Sequence, residues 1–219
     1  MNRTLIAPSI LSADFAAMGE AVKTLQKNGA DMIHCDVMDG TFVPAITFGA
    51  QMVSAIRPHT DLPLDVHLMC ADPQNKIADF VNAGADIVTV HAEACGGALD
   101  DVLRGIRSYG VRCGVAVSPD TPLQKIGGRL ERCGMLLVMS GHPGRGRQEL
   151  IPRTLAKADE ARRFFERNGL STDIEMDGGI TEENVAAVKA AGVNIIVAGS
   201  AVFRSADMGA TIRALRERT

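Results

Sequence analysis

One junction recurs along this chain and limits what it can fold into: a helix-like segment ends on glycine, and a β-rich apolar run starts within a few residues. It occurs in KNGADMIHCDV, NAGADIVTVHA, SYGVRCGVAV, RCGMLLVMS, RNGLSTDIEMD and AAGVNIIVAGS, around Gly29, Gly84, Gly110, Gly134, Gly169 and Gly192. Glycine accepts the left-handed backbone that closes a helix, so each position predicts a helix stop followed by a strand. RTLIAPSI near the start and LPLDVHLM in the middle bring the expected strands to eight.

The segments between strands carry helical apolar spacing, as in Phe15, Met18, Val22 and Leu25, or Leu155, Ala158 and Phe165. Asp72-Pro73 is expected to cap and start one helix, and Thr181 another, with Glu182 and Glu183 in its first turn. Eight strand and helix alternations in 219 residues leave little room for insertions. The chain therefore reads as an α/β protein, a single (β/α)8 TIM-type barrel occupying one domain over residues 1–219, with an open doubly wound sheet as the other architecture compatible with the alternation.

Composition excludes other classes. At 46% hydrophobic and 22% charged residues, the chain has no apolar run near the ~20 residues of a membrane span. Its N-terminus lacks the pattern of a secretory signal, so the mature chain is expected to begin near Met1. Cys35, Cys70, Cys95, Cys113 and Cys133 are an odd set without a C-x-x-C, which fits reduced thiols in a cytoplasmic protein. A net charge of -3 offers no footprint for nucleic acid or a membrane surface, so an anionic ligand has to be held locally.

In such barrels the site lies at the carboxyl ends of the strands. The second expected strand ends in His34-Cys35-Asp36-Val37-Met38, and alternation puts His34, Asp36 and Met38 on one face. The third brings His67 and Met69, and the seventh ends at Asp177 before Gly178 and Gly179. His34, Asp36, His67 and Asp177 thus converge from three strands as two imidazoles and two carboxylates, a set suited to Zn²⁺, Fe²⁺, Mn²⁺ or Co²⁺. Each residue alone has a capping or hydrogen-bonding reading, and the argument rests on their convergence. His91 ends the fourth strand near the mouth, where its residue type assigns no role.

At these residues the sequence resembles the ribulose-phosphate 3-epimerase family. APSILSADF, HCDVMDGTFVPAITFG, DVHLM, LVMS, MDGGI and VAGSAVF carry the resemblance in order from residue 7 to residue 203. It implies a metal-containing (β/α)8 barrel that inverts C3 of a ketopentose phosphate, interconverting D-ribulose 5-phosphate and D-xylulose 5-phosphate. One divalent metal ion per subunit is implied on His34, Asp36, His67 and Asp177, with Asp36 and Asp177 as the two bases. Free aspartate titrates near ~3.9, so both have to be tuned.

By the same resemblance Met38, Met69 and Met139 line the pocket, Ser9 and His67 contact substrate, and the phosphate lies by Gly178, Gly179, Gly199 and Ser200. A homo-oligomer is also implied. The loop after strand six departs from the family's Pro-Gly-Phe-Gly-Gly-Gln, reading Pro143-Gly144-Arg145-Gly146-Arg147-Gln148. Gly144, Arg145, Gly146 and Arg147 are therefore expected at the substrate, with guanidinium groups in place of one close backbone approach. That departure keeps a related tetrulose or hexulose phosphate open as substrate, and a non-enzymatic sugar-phosphate-binding barrel as a further reading. Ser118-Pro119 replaces a usual Asn-Pro. The lysine-bearing Asp-x-Lys-x-x-Asp of related decarboxylases is absent at Asp36-Val37-Met38-Asp39.

Overall fold

Period-two strands whose two faces are both covered become a parallel barrel, and that is the architecture of the computed structural model, which describes residues 3–146 and 148–218. Among the described residues eight parallel strands form one sheet: β1 (Leu5–Ala7), β2 (Ile33–Met38), β3 (Leu64–Met69), β4 (Ile87–His91), β5 (Arg112–Val117), β6 (Met135–Met139), β7 (Asp173–Asp177) and β8 (Ile195–Val197). β1 pairs with β8, and the remaining seam closes through a parallel bridge between Ser9 and His34 beside the His34 N–H to Pro8 O hydrogen bond of 3.1 Å.

Around the sheet run α1 (Met18–Lys27), α2 (Ala50–Ile56), α3 (Ile77–Asn82), α4 (Ala92–Cys95), α5 (Leu99–Ser108), α6 (Arg153–Arg167), α7 (Val185–Ala190), α8 (Ser200–Phe203) and α9 (Met208–Glu217). Cys35, Val37, Val66 and Leu68 point outward into the main apolar core between sheet and helices. A smaller apolar cluster of Ala7, Met32, Ile87, Met135, Ile195 and Val197 plugs one end of the barrel.

Four expectations need correction. Between β5 and β6 there is no α-helix among the described residues, only the 3-10 segments Leu123–Lys125 and Gly127–Arg132. Pro122 and the Gly127-Gly128 pair explain this, because both residue types resist a continuous helix. Gly134 accordingly closes no helix and lacks the positive φ of the other five junction glycines. Asp72 caps nothing with its side chain; it takes φ 48 before a 3-10 turn, and α3 starts only at Ile77. The α7 helix starts at Val185 after a turn in which Asn184 Oδ1 accepts the Thr181 N–H at 2.9 Å, so residues 181–183 precede the helix. Phe15 lies in a 3-10 turn before α1 and is 40% exposed, whereas Met18, Val22 and Leu25 are buried as expected.

Candidate metal and acid–base centre

Barrel interiors are usually packed with Val, Ile and Leu. Here the interior also holds His34, Asp36, Asp65, His67, Thr89, His91 and Glu175, all buried. The register explains how they meet. Asp36 pairs with His67, His34 with Asp65, and Met38 with Met69 across the β2–β3 ladder, while Met139 pairs with Asp177 across β6–β7. Neighbouring strands lie about 4.8 Å apart, which brings inward side chains at one level within reach of a common point.

One ligand atom from each of His34, Asp36, His67 and Asp177 lies within 4.8 Å of the other three. His34 Nε2 stands 3.3 Å from Asp36 Oδ1, and His67 Nδ1 stands 3.0 Å from the same oxygen. His34 turns its other nitrogen, Nδ1, to Asp65 Oδ2 at 2.6 Å, while its buried Nε2 has no hydrogen-bond partner among the described residues. An imidazole anchored on one side by a carboxylate and bare on the other is the usual posture of a metal-ligating histidine. The residues present thus fit a divalent ion of the zinc, iron, manganese or cobalt type, whose borderline character matches two nitrogens and two oxygens.

The carboxylates are pushed apart in acidity. Burial alone would raise Asp36, but the surrounding His34 and His67 hold it well below the usual carboxylate range. Burial and the charge of Asp36 push Asp177 up to about 7. Burial also opposes a charge on His34, yet Asp36, Asp65 and Glu175 around it raise it well above the ordinary imidazole value. His67 goes the other way, lowered by burial to about 4. Ser9 Oγ–H donates to Asp36 Oδ2 at 2.5 Å.

Above the cluster a cleft of about 560 Å³, open to solvent, is lined by Ser9, Asp36, Asp177 and the three methionines Met38, Met69 and Met139. His34 and His67 lie beneath it with no exposed surface. Its rim carries Gly144, Arg145 and Gly146 on one side and Gly178, Gly179, Gly199 and Ser200 on the other. Ser200 opens α8, and the first N–H groups of a helix have no partner within it. Arg145 is exposed, and Arg147 lies outside the described residues.

Several glycines prove to be demanded by packing. A Cβ on Gly178 would lie 2.2 Å from Gly141 N, one on Gly179 2.4 Å from Leu150 N, and one on Gly144 2.5 Å from Val43 Cβ. Gln148 stitches the β6 loop together: its Oε1 accepts the His142 N–H at 2.9 Å, and its Nε2 donates to His142 O and Arg145 O at 2.7 Å each. The loop scaffold uses the Arg145 carbonyl and therefore does not depend on the side chain at position 145.

Sequence reasoning missed Asp65, Glu175 and Glu93. The first two sit two residues before His67 and Asp177, on the same strand faces, and that spacing was the available signal. Burial and the charge of Asp65 push Glu175 well above the usual carboxyl value.

Fold and cluster together define a parallel β/α barrel with buried imidazoles and carboxylates gathered at its carboxyl end. The Ribulose-phosphate 3 epimerase family profile matches residues 5–203. The ribulose-phosphate 3-epimerase of Bacillus subtilis (strain 168) is 47% identical over 96% of this chain and 97% of its own length. The chloroplastic ribulose-5-phosphate-3-epimerase of Arabidopsis thaliana is 45% identical over 97% of this chain and 76% of its own. Among solved structures, 3-hexulose-6-phosphate synthase from Salmonella typhimurium superposes with a TM-score of 0.73 over 97% of both chains at 21% identity, a likeness of fold. The chain belongs to the ribulose-phosphate 3-epimerase family. It is accordingly an epimerase, an enzyme of the isomerase class.

Proposed function

We propose that this enzyme inverts C3 of D-ribulose 5-phosphate to give D-xylulose 5-phosphate, and the reverse, with Asp36 and Asp177 as its two proton-transferring groups. The observation that carries this reading is the convergence of His34, Asp36, His67 and Asp177 ligand atoms within 4.8 Å at the floor of the cleft. A divalent metal held there, one per subunit, supplies Lewis acidity that makes the proton beside the ketone easier to remove.

Inversion needs one group to take a proton from one face of the carbon and another to return one to the opposite face. A carboxylate kept ionised and a carboxyl that titrates near neutrality suit those two duties, and Asp36 and Asp177 are tuned in those two directions. The Ser9 hydroxyl fixes the Asp36 carboxylate through Oδ2. Met38, Met69 and Met139 form an apolar wall that keeps water away from the reacting carbon. Gly178, Gly179, Gly199 and Ser200 hold the phosphate through backbone N–H groups, with Gly144, Arg145 and Gly146 on the facing loop. The enzyme acts in the cytosol as a homo-oligomer, a reading supported by the five free, buried cysteines and by the family; size-exclusion chromatography with light scattering tests the assembly.

The test is turnover of D-ribulose 5-phosphate in D₂O by the metal-reconstituted protein, beside Asp36→Asn and Asp177→Asn. Deuterium entering at C3, with loss of turnover by at least ~10²-fold in each variant, is expected. Turnover that survives either substitution would remove that residue from the proposed pair. Absence of turnover with D-ribulose 5-phosphate, but activity with a tetrulose or hexulose phosphate, would move the substrate and keep the chemistry.

A further inference from the structure

Behind His67 runs a line of polar side chains that leads away from the cleft. His67 presents Nδ1 to Asp36 Oδ1 at 3.0 Å and Nε2 to His91 Nε2 at 2.9 Å. His91 then turns Nδ1 to Glu93 Oε2 at 3.2 Å. Both imidazoles are wholly buried, and Phe42 packs on His91 with ring centroids 4.9 Å apart. Glu93 is fixed in turn. Its Oε1 accepts the Ser118 N–H at 2.8 Å, and Lys157 Nζ, close to the carboxylate, holds the carbonyls of Ser118 and Pro119 at 2.6 and 3.0 Å. Burial alone would raise Glu93, but hydrogen bonds from His91 and Thr121 bring it to about 2, so it stays ionised.

The proton positions along this line follow from elementary bookkeeping. An ionised carboxylate only accepts, so Glu93 requires the proton of His91 on Nδ1. A neutral His91 then has a lone pair on Nε2, which requires a proton on His67 Nε2. A neutral His67 protonated at Nε2 presents a lone pair at Nδ1, 3.0 Å from an Asp36 oxygen that also only accepts, and a cation between these two acceptors is what the pairing calls for. We propose that His91 and Glu93 are positioning residues that fix His67 in its Nε2–H tautomer, so that Nδ1 is aimed and electronically strengthened as a metal ligand. This rests on the metal reading given above. His34 reaches the same posture by a shorter route, with Asp65 directly on its Nδ1 at 2.6 Å and Glu175 beside it at 3.4 Å.

The test uses the zinc-loaded full-length protein with ¹⁵N-labelled histidine. Long-range ¹H–¹⁵N spectra are expected to show His67 protonated at Nε2 and His91 protonated at Nδ1. Zinc affinity, measured by competition with a chelating dye, is expected to fall about 10–100-fold in Glu93→Gln, the usual cost of losing an outer partner of a metal ligand. A proton on His91 Nε2 in the zinc-loaded protein overturns the proposal, whether or not the variant folds. A folded Glu93→Gln protein that binds zinc within about twofold of the unaltered chain also overturns it. If zinc leaves the nitrogen signals of both His34 and His67 unmoved, the metal reading itself falls, and the relay with it. That outcome is distinct from zinc binding with the wrong His91 tautomer.

Discussion

Gly178→Ala is the substitution whose consequence can be worked most directly from the structure. Gly178 has φ 126, and a Cβ built on it would meet Gly141 N at 2.2 Å, Ser140 C at 2.8 Å and Gly141 Cα at 2.9 Å. All three are backbone atoms, so no side chain can swing aside. Ordinary carbon contacts need about 3.5 Å, so the β6 and β7 loops must separate by about 1 Å. The disallowed backbone costs about 1–3 kcal/mol and the forced repacking about 1–3 more. For 219 residues at about 2.1 cal/mol/K each, the unfolding entropy near the midpoint is about 0.46 kcal/mol/K. A total of about 2–6 kcal/mol therefore lowers Tm by about 4–13 °C, read by differential scanning calorimetry. Because Gly178 follows Asp177 directly and accepts the Ser140 hydroxyl through its carbonyl at 2.7 Å, the same displacement moves the candidate base and is expected to lower kcat about 10²-fold. Gly146→Ala is the control: no heavy atom lies within 4 Å of its added Cβ. It should change stability by less than about 0.5 kcal/mol. A Gly178→Ala protein that melts within about 2 °C of the unaltered chain and turns over within twofold would refute the packing argument.

Stripping the metal with a chelator should lower Tm by about 9 °C, the equivalent of about 4 kcal/mol from a ligand at a thousandfold excess over its Kd, and re-addition of Zn²⁺, Mn²⁺ or Co²⁺ should restore it; identical melting curves for stripped and reconstituted protein would contradict a structural ion at the cluster. In the stripped protein Glu175 should stay protonated well above its ordinary 4.5, so the wild type loses stability as pH climbs from that value through the raised folded one. Glu175→Gln carries no such proton, and its stability relative to wild type should grow between pH 4.5 and 8 in urea titrations; a pH-independent difference would show that Glu175 is ionised in the fold. Arg145→Ala should raise KM for ketose phosphates about tenfold, or about 1.4 kcal/mol, with kcat changed less than twofold. Unchanged KM values across several ketose phosphates would place the guanidinium in solvent.

The parts of this molecule that were legible in the sequence are those set by local chemistry. Five of the six junction glycines take positive φ after a helical or turn segment, and the strands follow where expected. His34, Asp36 and Met38 alternate along β2, so their shared face could be read before any partner was known. The misses have a common cause in features that depend on what lies across the fold. Asp72 looked like a helix cap because aspartate before proline commonly is one, yet it takes φ 48 and its side chain caps nothing. The segment after β5 carries apolar residues at usable spacing, but Gly127 and Gly128 let it settle as 3-10 turns against the barrel. Asp65, Glu175 and Glu93 are ordinary acidic residues one by one. Only the strand register reveals that the first two face His34, and only the loop after β5 reveals what Glu93 anchors.

The barrel interior shows why such a site is costly to build and where the cost is met. Five buried side-chain atoms in it, His34 Nε2, Asp65 Oδ1, Thr89 Oγ1 and both Glu175 oxygens, have no hydrogen-bond partner among the described residues. An unmet buried polar group costs about 1–3 kcal/mol, which is large beside the net stability of a domain. A barrel selected for stability alone would fill these positions with branched apolar residues. The compensation lies outside the sheet, where Val22, Leu25, Val53, Leu103, Ile106 and Val188 are fully buried in one continuous core against the strands. Because strand side chains alternate, the two faces can be specialised independently: the outward face carries the apolar burial and the inward face carries the chemistry. Four of the five unmet atoms, those of His34, Asp65 and Glu175, belong to one cluster beside the candidate metal position, so the polarity that weakens the barrel is the polarity a bound cation would reward.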